Sequence, residues 1–283
     1  MIQFIQDMPT NPLLLTGLIA GLLASIACGA IGPFVVTRRI VFLSGAIAHM
    51  AVGGLGAAIF LAAHFPQLFG WLKPMHGALI AAVLAAVLIA VVYERVTERM
   101  DTLIGAMWAV GMSIGILLIK YTPGYHTDLM SFLFGNIVYV TWSQIWLMTA
   151  LDIVIIGCVC FMHKQLLAVC IDEEQAELQG VHVFSTHLIL LILVALTVIC
   201  LIKVVGLVLV IALLSLPAAT AAHHLSRLVA IQWGAILLCI LLTTVPRMAV
   251  YGTRMSPESA IVLAAGGVYL ISVIIRRVRA ARA

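Results

Sequence analysis

The chain has 283 residues, of which 64% are hydrophobic and only 9% are charged, with a formal net charge of +4. Soluble domains carry about 25% charged residues, so this composition excludes a soluble enzyme, a nucleic-acid-binding domain and a disordered chain. A membrane-spanning helix needs about 20 apolar residues, and roughly eight or nine such helices would use nearly the whole apolar supply. The composition therefore predicts an all-α polytopic membrane protein of about nine transmembrane helices (eight to ten), with no room for a sizeable soluble domain.

Nine apolar runs in chain order predict the spans. They cover residues 13–36, 45–63, 76–93, 102–121, 142–162, 186–202, 204–222, 228–245 and 259–275. Residues 1–12 contain no Lys or Arg, whereas a cleaved signal peptide needs a basic start, so the first run is expected to be a retained helix. The two runs around Lys203 are the least clearly divided, because a single charge separates them.

The orientation follows from the basic residues between the runs, since cytoplasmic loops carry more Lys and Arg. Ten of these residues fall on one side: Arg38, Arg39, Arg95, Arg99, Lys164, Arg227, Arg276, Arg277, Arg279 and Arg282. Five fall on the other: Lys73, Lys120, Lys203, Arg247 and Arg254. The richer side is predicted to be cytoplasmic, with the N-terminus outside and the C-terminus inside.

Two connections differ from ordinary loops. Residues 122–141 are too apolar for a loop and too short for two crossings, so they are expected to lie along the outer surface or to dip back into the bilayer. The cytoplasmic connection 163–185 contains DEEQAELQG at 172–180, which predicts a short helix. Asp172 suits its N-cap, Glu173 and Glu174 suit its first turn, and Gly180 suits its end. Such a helix is either a docking element for a partner or a solvated loop helix.

Helix breaks and close packing are also predicted. Pro33 and Pro217 fall inside apolar runs, where proline kinks or interrupts a helix and frees backbone carbonyls. Small residues in GGLGAA (53–58), AAVLAA (81–86) and LPAATAA (216–222) favour close helix–helix contact in lipid.

Signatures of catalysis and of nucleotide binding are missing from the sequence. It has no H-E-x-x-H pair and no Gly-Lys pair for a phosphate loop, so ATP-driven work would require another chain; its one G-x-S-x-G match, at 111–115, lies inside an apolar run. The six cysteines show no CxxC spacing, and neither a disulfide nor a structural metal site is expected.

Polar residues inside the spans are the candidates for a transport path, because burying a charge in lipid is costly. His49, followed by Met50, is either a ligand or a structural hydrogen-bonding group. Asp152 is either functional or a carboxyl that is kept neutral or hydrogen-bonded to a neighbour. His223 and His224 are expected at the cytoplasmic interface. The outer-side histidines, which would meet an arriving ligand or face water, are His64, His76 and His126.

Several segments together resemble the permeases of ATP-binding-cassette importers for zinc, manganese and iron. They are GAIGPFVVTRRIVFLSGAIAHMAVGG (29–54), DTLIGAMWAVGMSIGILLI (101–119), LMSFLFGNIVYVTWSQI (129–145), CIDEEQAELQGV (170–181) and VVGLVLVIALLSLPAATA (204–221). The first contains the G-x-x-G-x-F-V-V-x-R-R pattern leading into a helix that carries A-H. The segments occur in order over most of the chain.

The resemblance implies a single permease domain over residues 1–283, with a bundle like that of the cobalamin importer permease. It implies that 172–180, with Ala176 among its residues, is a coupling helix that docks on a separate cytoplasmic ATPase dimer, which binds the ATP. It also implies a bacterial inner-membrane location, a periplasmic or lipid-anchored metal-binding protein, and either a second copy of the chain or a sister permease. The divalent metal would be the transported substrate, and no covalent cofactor, nucleic acid or catalytic residue is implied.

The chain departs from the family at two places. The family pattern G-D-A-x-A-H places an acid one helical turn before the histidine, but here Gly45 precedes His49. The later D-x-P-x-G pattern is also lost around Pro257. A missing acid weakens divalent-ion binding, and Asp152 is the candidate to replace its charge. The alternative from another class is an ion-coupled secondary transporter, which needs coupling-ion residues and inverted repeats.

Overall fold

A computed structural model describes residues 2–7, 11–95, 100–123, 135 and 140–281, and within these ranges the chain is helical with no strand. The helices are α1 (Ile2–Asp7), α2 (Pro12–Thr37), α3 (Val41–His64), α4 (Pro66–Phe69), α5 (Pro74–Arg95), α6 (Met100–Lys120), α7 (Trp142–Phe161), α8 (His163–Ile171), α9 (Glu173–Leu178), α10 (Val183–Val205), α11 (Leu207–Ala222), α12 (Leu228–Val250) and α13 (Pro257–Ala280). The all-α prediction is confirmed for these residues.

Eight of the described helices are long and apolar enough to cross a membrane. They are α2, α3, α5, α6, α7, α10, α12 and α13. The ninth predicted span is α11, which has 16 residues and covers about 24 Å at 1.5 Å per residue. This length is less than the roughly 30 Å of a bilayer core. The count agrees with the predicted range of eight to ten.

Local sequence sets several helix ends. Asn11 caps α2 by accepting from the backbone N–H of Leu13 at 3.0 Å. Thr141 and Gln144 form a reciprocal capping box at the start of α7. The predicted division into two helices is confirmed, but it lies at Gly206 rather than at Lys203, because α10 continues through Lys203 and ends beside Gly206. Gly206 has φ of 83°, a left-handed conformation that side chains resist, so glycine rather than charge separates α10 from α11.

The two prolines leave their helices continuous. Pro33 lies inside α2 and Pro217 lies inside α11, and each helix runs on for at least a turn beyond its proline. The expected interruption is therefore wrong at both places, while a kink with a gating role stays a prediction. Most of the connection 122–141, including His126, lies outside the described residues.

The chain divides into two compact units. The first comprises Met1–Arg39, Met130–His163 and Cys200–Ala283. In it α2 packs against α7, α11 and α12, and α13 packs against α11 and α12. The α2–α12 contact includes a hydrogen bond between the hydroxyls of Ser25 and Thr243 at 3.1 Å. The Gln232 amide also donates to the Ala30 carbonyl at 3.1 Å.

The second unit comprises Ile40–Leu129 and Lys164–Ile199. In it α3 lies against both α5 and α6. Glycines allow the approach, because a Cβ added at Gly53 would lie 2.7 Å from the carbonyl oxygen of Gly111. Gly54 meets Gly77 of α5 in the same way. The small-residue segment 53–58 therefore packs closely against other helices, as predicted.

Candidate functional site

His49 lies on α3 and is 8% exposed. Its ring packs against the ring of Trp108 on α6, with centroids 4.9 Å apart and planes tilted by 53°. Its Nδ1 has no hydrogen-bond partner among the described residues. A buried imidazole normally satisfies both ring nitrogens, so this nitrogen is available to a ligand.

Glycine packing fixes the surroundings of His49. Gly111 of α6 lies against Met50, the residue after His49. A Cβ added at Gly111 would be 2.8 Å from the Met50 sulfur and 2.9 Å from the Met50 Cα. The α3 and α6 backbones therefore meet beside the imidazole and the thioether. Gly45 is buried one turn earlier on α3. Residues i and i+4 share a helix face, so the missing acid would have stood on the His49 side.

Asp152 lies on α7 in the first unit and is 3% exposed. Neither carboxylate oxygen has a hydrogen-bond partner among the described residues. An ionised carboxylate in such surroundings needs a counter-charge, so Asp152 offers a place for a cation or a proton.

The described residues contain no group of three or more His, Cys, Asp or Glu side chains able to hold a metal ion. His49 belongs to the second unit and Asp152 to the first. Each therefore stands as a separate candidate position for a passing ion. All six cysteines are free.

The helix predicted at 172–180 is α9. Asp172 caps it, with its carboxylate accepting from the backbone N–H of Gln175 at 3.1 Å. Glu173 and Glu174 occupy the first turn, and Ala176 is buried. Gly180 follows with φ of 81°, as a glycine stop requires. The helix and the roles of its end residues are confirmed.

The acidic helix also carries apolar surface. Leu178 is 89% exposed at its last residue, and Ile171 is 72% exposed just before it. Large apolar side chains beside acids are typical of a protein contact rather than of a solvated loop.

Sequence reasoning missed the contacts of Tyr93 near the end of α5. Its hydroxyl donates to the Glu173 carboxylate at 3.1 Å. Its ring stacks on that of His187 in α10, with centroids 4.7 Å apart. A tyrosine near the end of an apolar run is a weak signal of a position at the membrane interface. The residues near it in the sequence do not indicate its partners, which lie far along the chain.

Four further histidines of the described residues lie near helix ends. His223 and His224 follow α11, as expected for an interface, and both hydrogen-bond the hydroxyl of Ser272 on α13. His64 stacks on Phe60, with ring centroids 4.1 Å apart. His76 lies in the first turn of α5, and its ring accepts from the backbone N–H of Lys73 at 3.4 Å.

Comparison with known proteins gives a consistent result. The ABC 3 transport family matches residues 10–276. The chain is 35% identical over 266 residues to the "Probable metal transport system membrane protein" of Chlamydia trachomatis, covering 94% of this chain and 90% of that one. It is 28% identical over 225 residues to the manganese transport system membrane protein MntC of Halalkalibacterium halodurans, covering 80% and 74%. Its fold matches the solved structure of PsaBC from Streptococcus pneumoniae in complex with Fab, with a TM-score of 0.84 and 28% identity, covering 96% of this chain and 95% of that one.

Proposed function

Because the chain belongs to the ABC 3 transport family, we propose that it is the membrane permease of an ATP-binding-cassette importer that moves a divalent metal ion inward. The match to that family over residues 10–276 carries the proposal. The relatives named for metal and manganese transport support the class of cargo. Zinc, manganese and iron share His, Met and carboxylate ligands, so all three fit this class.

Energy would come from outside the chain. A cytoplasmic ATPase dimer would bind and hydrolyse ATP and shift the permease between outward-open and inward-open states. The coupling helix, which is α9 (Glu173–Leu178), has the features of the docking element. Its acidic first turn favours a basic partner surface, and exposed Leu178 and Ile171 supply apolar area.

Reversing the charge of the coupling helix tests this function. Glu173→Lys combined with Glu174→Lys should abolish co-purification with the partner ATPase, because like charges would then face each other. The thermal unfolding midpoint should fall only slightly, since Glu174 is exposed and Glu173 loses one hydrogen bond. The control is Asp101→Lys, an acid-to-lysine change in the first turn of α6. Normal ATPase binding and uptake in the double variant would contradict the docking role.

The other expected assembly follows from the same proposal. A periplasmic or lipid-anchored binding protein would deliver the metal from outside, and a second copy or a sister permease would complete the dimer. The chain would lie in the bacterial inner membrane with its N-terminus outside and its C-terminus in the cytoplasm.

We place the ion path at His49 with Met50 and, separately, at Asp152. The support is the unpartnered imidazole nitrogen of His49 and the unpartnered carboxylate of Asp152. Asp152→Asn keeps the shape of the side chain but removes the charge, and uptake should fall by about tenfold or more. Gly45→Asp adds an acid one turn before His49 and should tighten divalent-ion binding by a similar factor.

Radioactive metal uptake in vesicles with the assembled transporter measures Asp152→Asn, and equilibrium metal binding to the purified transporter measures Gly45→Asp. Unaltered uptake with Asp152→Asn would remove Asp152 from the path. Unaltered or weaker metal binding with Gly45→Asp would show that the face of α3 around His49 is not part of the ion path.

A secondary transporter is the second candidate, and buried Asp152 is the observation in its favour. The two functions differ in their energy source. Reconstituted alone, an importer permease moves no solute uphill, whereas a secondary transporter does so under an ion gradient. Uphill uptake without ATPase would favour the second candidate.

A further inference from the structure

Tyr93 joins three helices at one end of the second unit. It lies near the end of α5, its hydroxyl donates to Glu173 in the first turn of the coupling helix, and its ring stacks on His187. His187 lies in the first turns of α10 and is buried. The side chain thus links the coupling helix at one end and two membrane-spanning helices at the other.

An open cavity lies beside these contacts. A cavity of about 690 Å³ is lined by Tyr93, Glu173 and His187, together with residues of the turn after the coupling helix. Close-packed side chains transmit displacement, whereas open space has no atoms through which a push can pass. On this side of the coupling helix, the contacts of Tyr93 at the edge of the cavity connect it to α5 and α10, in addition to the short turn that joins it directly to α10.

Tyrosine supplies two different contacts for this task. Its ring provides the stacking face for the imidazole, and its hydroxyl provides a directional donor for the carboxylate. Phenylalanine would keep the first and lose the second. A glutamine at 173 would keep an oxygen acceptor and lose the charge.

We infer that Tyr93 is a positioning residue that transmits movement of the coupling helix to α5 and α10 through its hydrogen bond to Glu173. This inference rests on the proposed function, because it requires that an ATPase move the coupling helix. It adds a coupling role for a residue that lies outside both the docking helix and the ion path.

The test uses the full transporter in proteoliposomes, with permease, ATPase and binding protein. Four quantities are measured: co-purified ATPase, ATP hydrolysis rate, metal ions transported per ATP, and the thermal unfolding midpoint. Tyr93→Phe should leave docking, hydrolysis and the midpoint near wild type. It should lower the number of ions transported per ATP by about two- to tenfold, the range that one net hydrogen bond supports.

Further variants separate the hydrogen bond from other effects. The double variant Tyr93→Phe with Glu173→Ala should have the same transport-to-ATP ratio as Glu173→Ala alone, because the hydrogen bond is already absent. Tyr121→Phe makes the tyrosine-to-phenylalanine change on an exposed tyrosine just after α6 and should have no effect. A merely structural role would lower the unfolding midpoint and the amount of assembled complex rather than the ratio.

The outcomes distinguish this inference from the function on which it rests. The role of Tyr93 would be overturned by a normal ratio in Tyr93→Phe, or by loss of ATPase from that variant. It would also be overturned if adding Tyr93→Phe to Glu173→Ala lowered the ratio further. Failure of the wild-type chain to bind any ATPase would instead overturn the proposed importer function.

Discussion

Two adjacent imidazoles share one hydroxyl at the end of α11. The His223 Nδ1 and the His224 Nε2 lie 3.0 and 2.9 Å from the Ser272 Oγ on α13. A hydroxyl has one proton to give, so with neutral rings it donates to one imidazole and accepts from the other. The trio therefore ties the end of α11 to α13.

Acid should weaken this tie. Burial, followed by the charge of Arg276 and by His224, holds the pKa of His223 below its ordinary value. Between the folded-state and the unfolded-state pKa of His223, the unfolded chain binds more protons than the folded chain. Stability is therefore lost as the pH falls below about 6.5. The thermal unfolding midpoint in detergent should decrease as the pH is lowered from about 7.5 to about 5.5. The substitution His223→Gln should make the midpoint depend less on pH.

The control for this dependence is the same substitution at another histidine. His76→Gln, in the first turn of α5, should leave the slope of the midpoint against pH as in the wild type. An unchanged slope in His223→Gln would show that other groups control the acid sensitivity.

At the scale of elements, the contact between α3 and α6 depends on missing side chains. A Cβ on Gly111 would lie 2.9 Å from the Met50 Cα and 3.0 Å from the Met50 nitrogen, so the backbones would have to separate. Gly105, on the same helix, would meet nothing within 4 Å. Two glycines of one helix thus differ in whether they tolerate a methyl group.

Gly111→Ala should destabilise the protein by about 1–3 kcal/mol, the usual cost of overpacking. Gly105→Ala should be neutral or stabilise it by up to about 1 kcal/mol, because alanine favours the helix. Thermal or denaturant unfolding in detergent measures both. Equal effects of the two substitutions would contradict a tight α3–α6 contact, and uptake by Gly111→Ala should fall because Met50 is displaced.

Helix positions followed from the sequence where the signal was local. The apolar runs, the Asp172 cap and the Gly180 stop lie within a few residues of the features they determine. The division predicted at Lys203 lies three residues later, because the backbone turns left-handed at Gly206 and ends the helix there. Pro33 and Pro217 did not interrupt their helices, since neighbouring helices stabilise a membrane helix around proline.

At the scale of the whole molecule, the orientation predicted from basic residues can be tested by labelling. Gln179→Cys lies just after the coupling helix, and Arg254→Cys lies between α12 and α13; both positions are exposed. In a background with the six native cysteines replaced, an impermeant thiol reagent should label position 254 from outside and position 179 only from inside. The reverse pattern would invert the topology and remove the coupling helix from the cytoplasm.

The sequence by itself determined that this is a helical membrane protein, that the segment 172–180 forms a capped surface helix, and that a family of metal permeases resembles it. These conclusions rest on composition, on nearby residues and on motif order. The tertiary structure alone decided that Trp108 packs on His49, that Asp152 is buried without a hydrogen-bond partner among the described residues, and that Tyr93 meets Glu173 and His187. The physical reason is that lipid and protein interior are about equally apolar. The sequence of a helix that is apolar on every face therefore predicts that it lies in the membrane. It does not predict which neighbouring helix each face contacts.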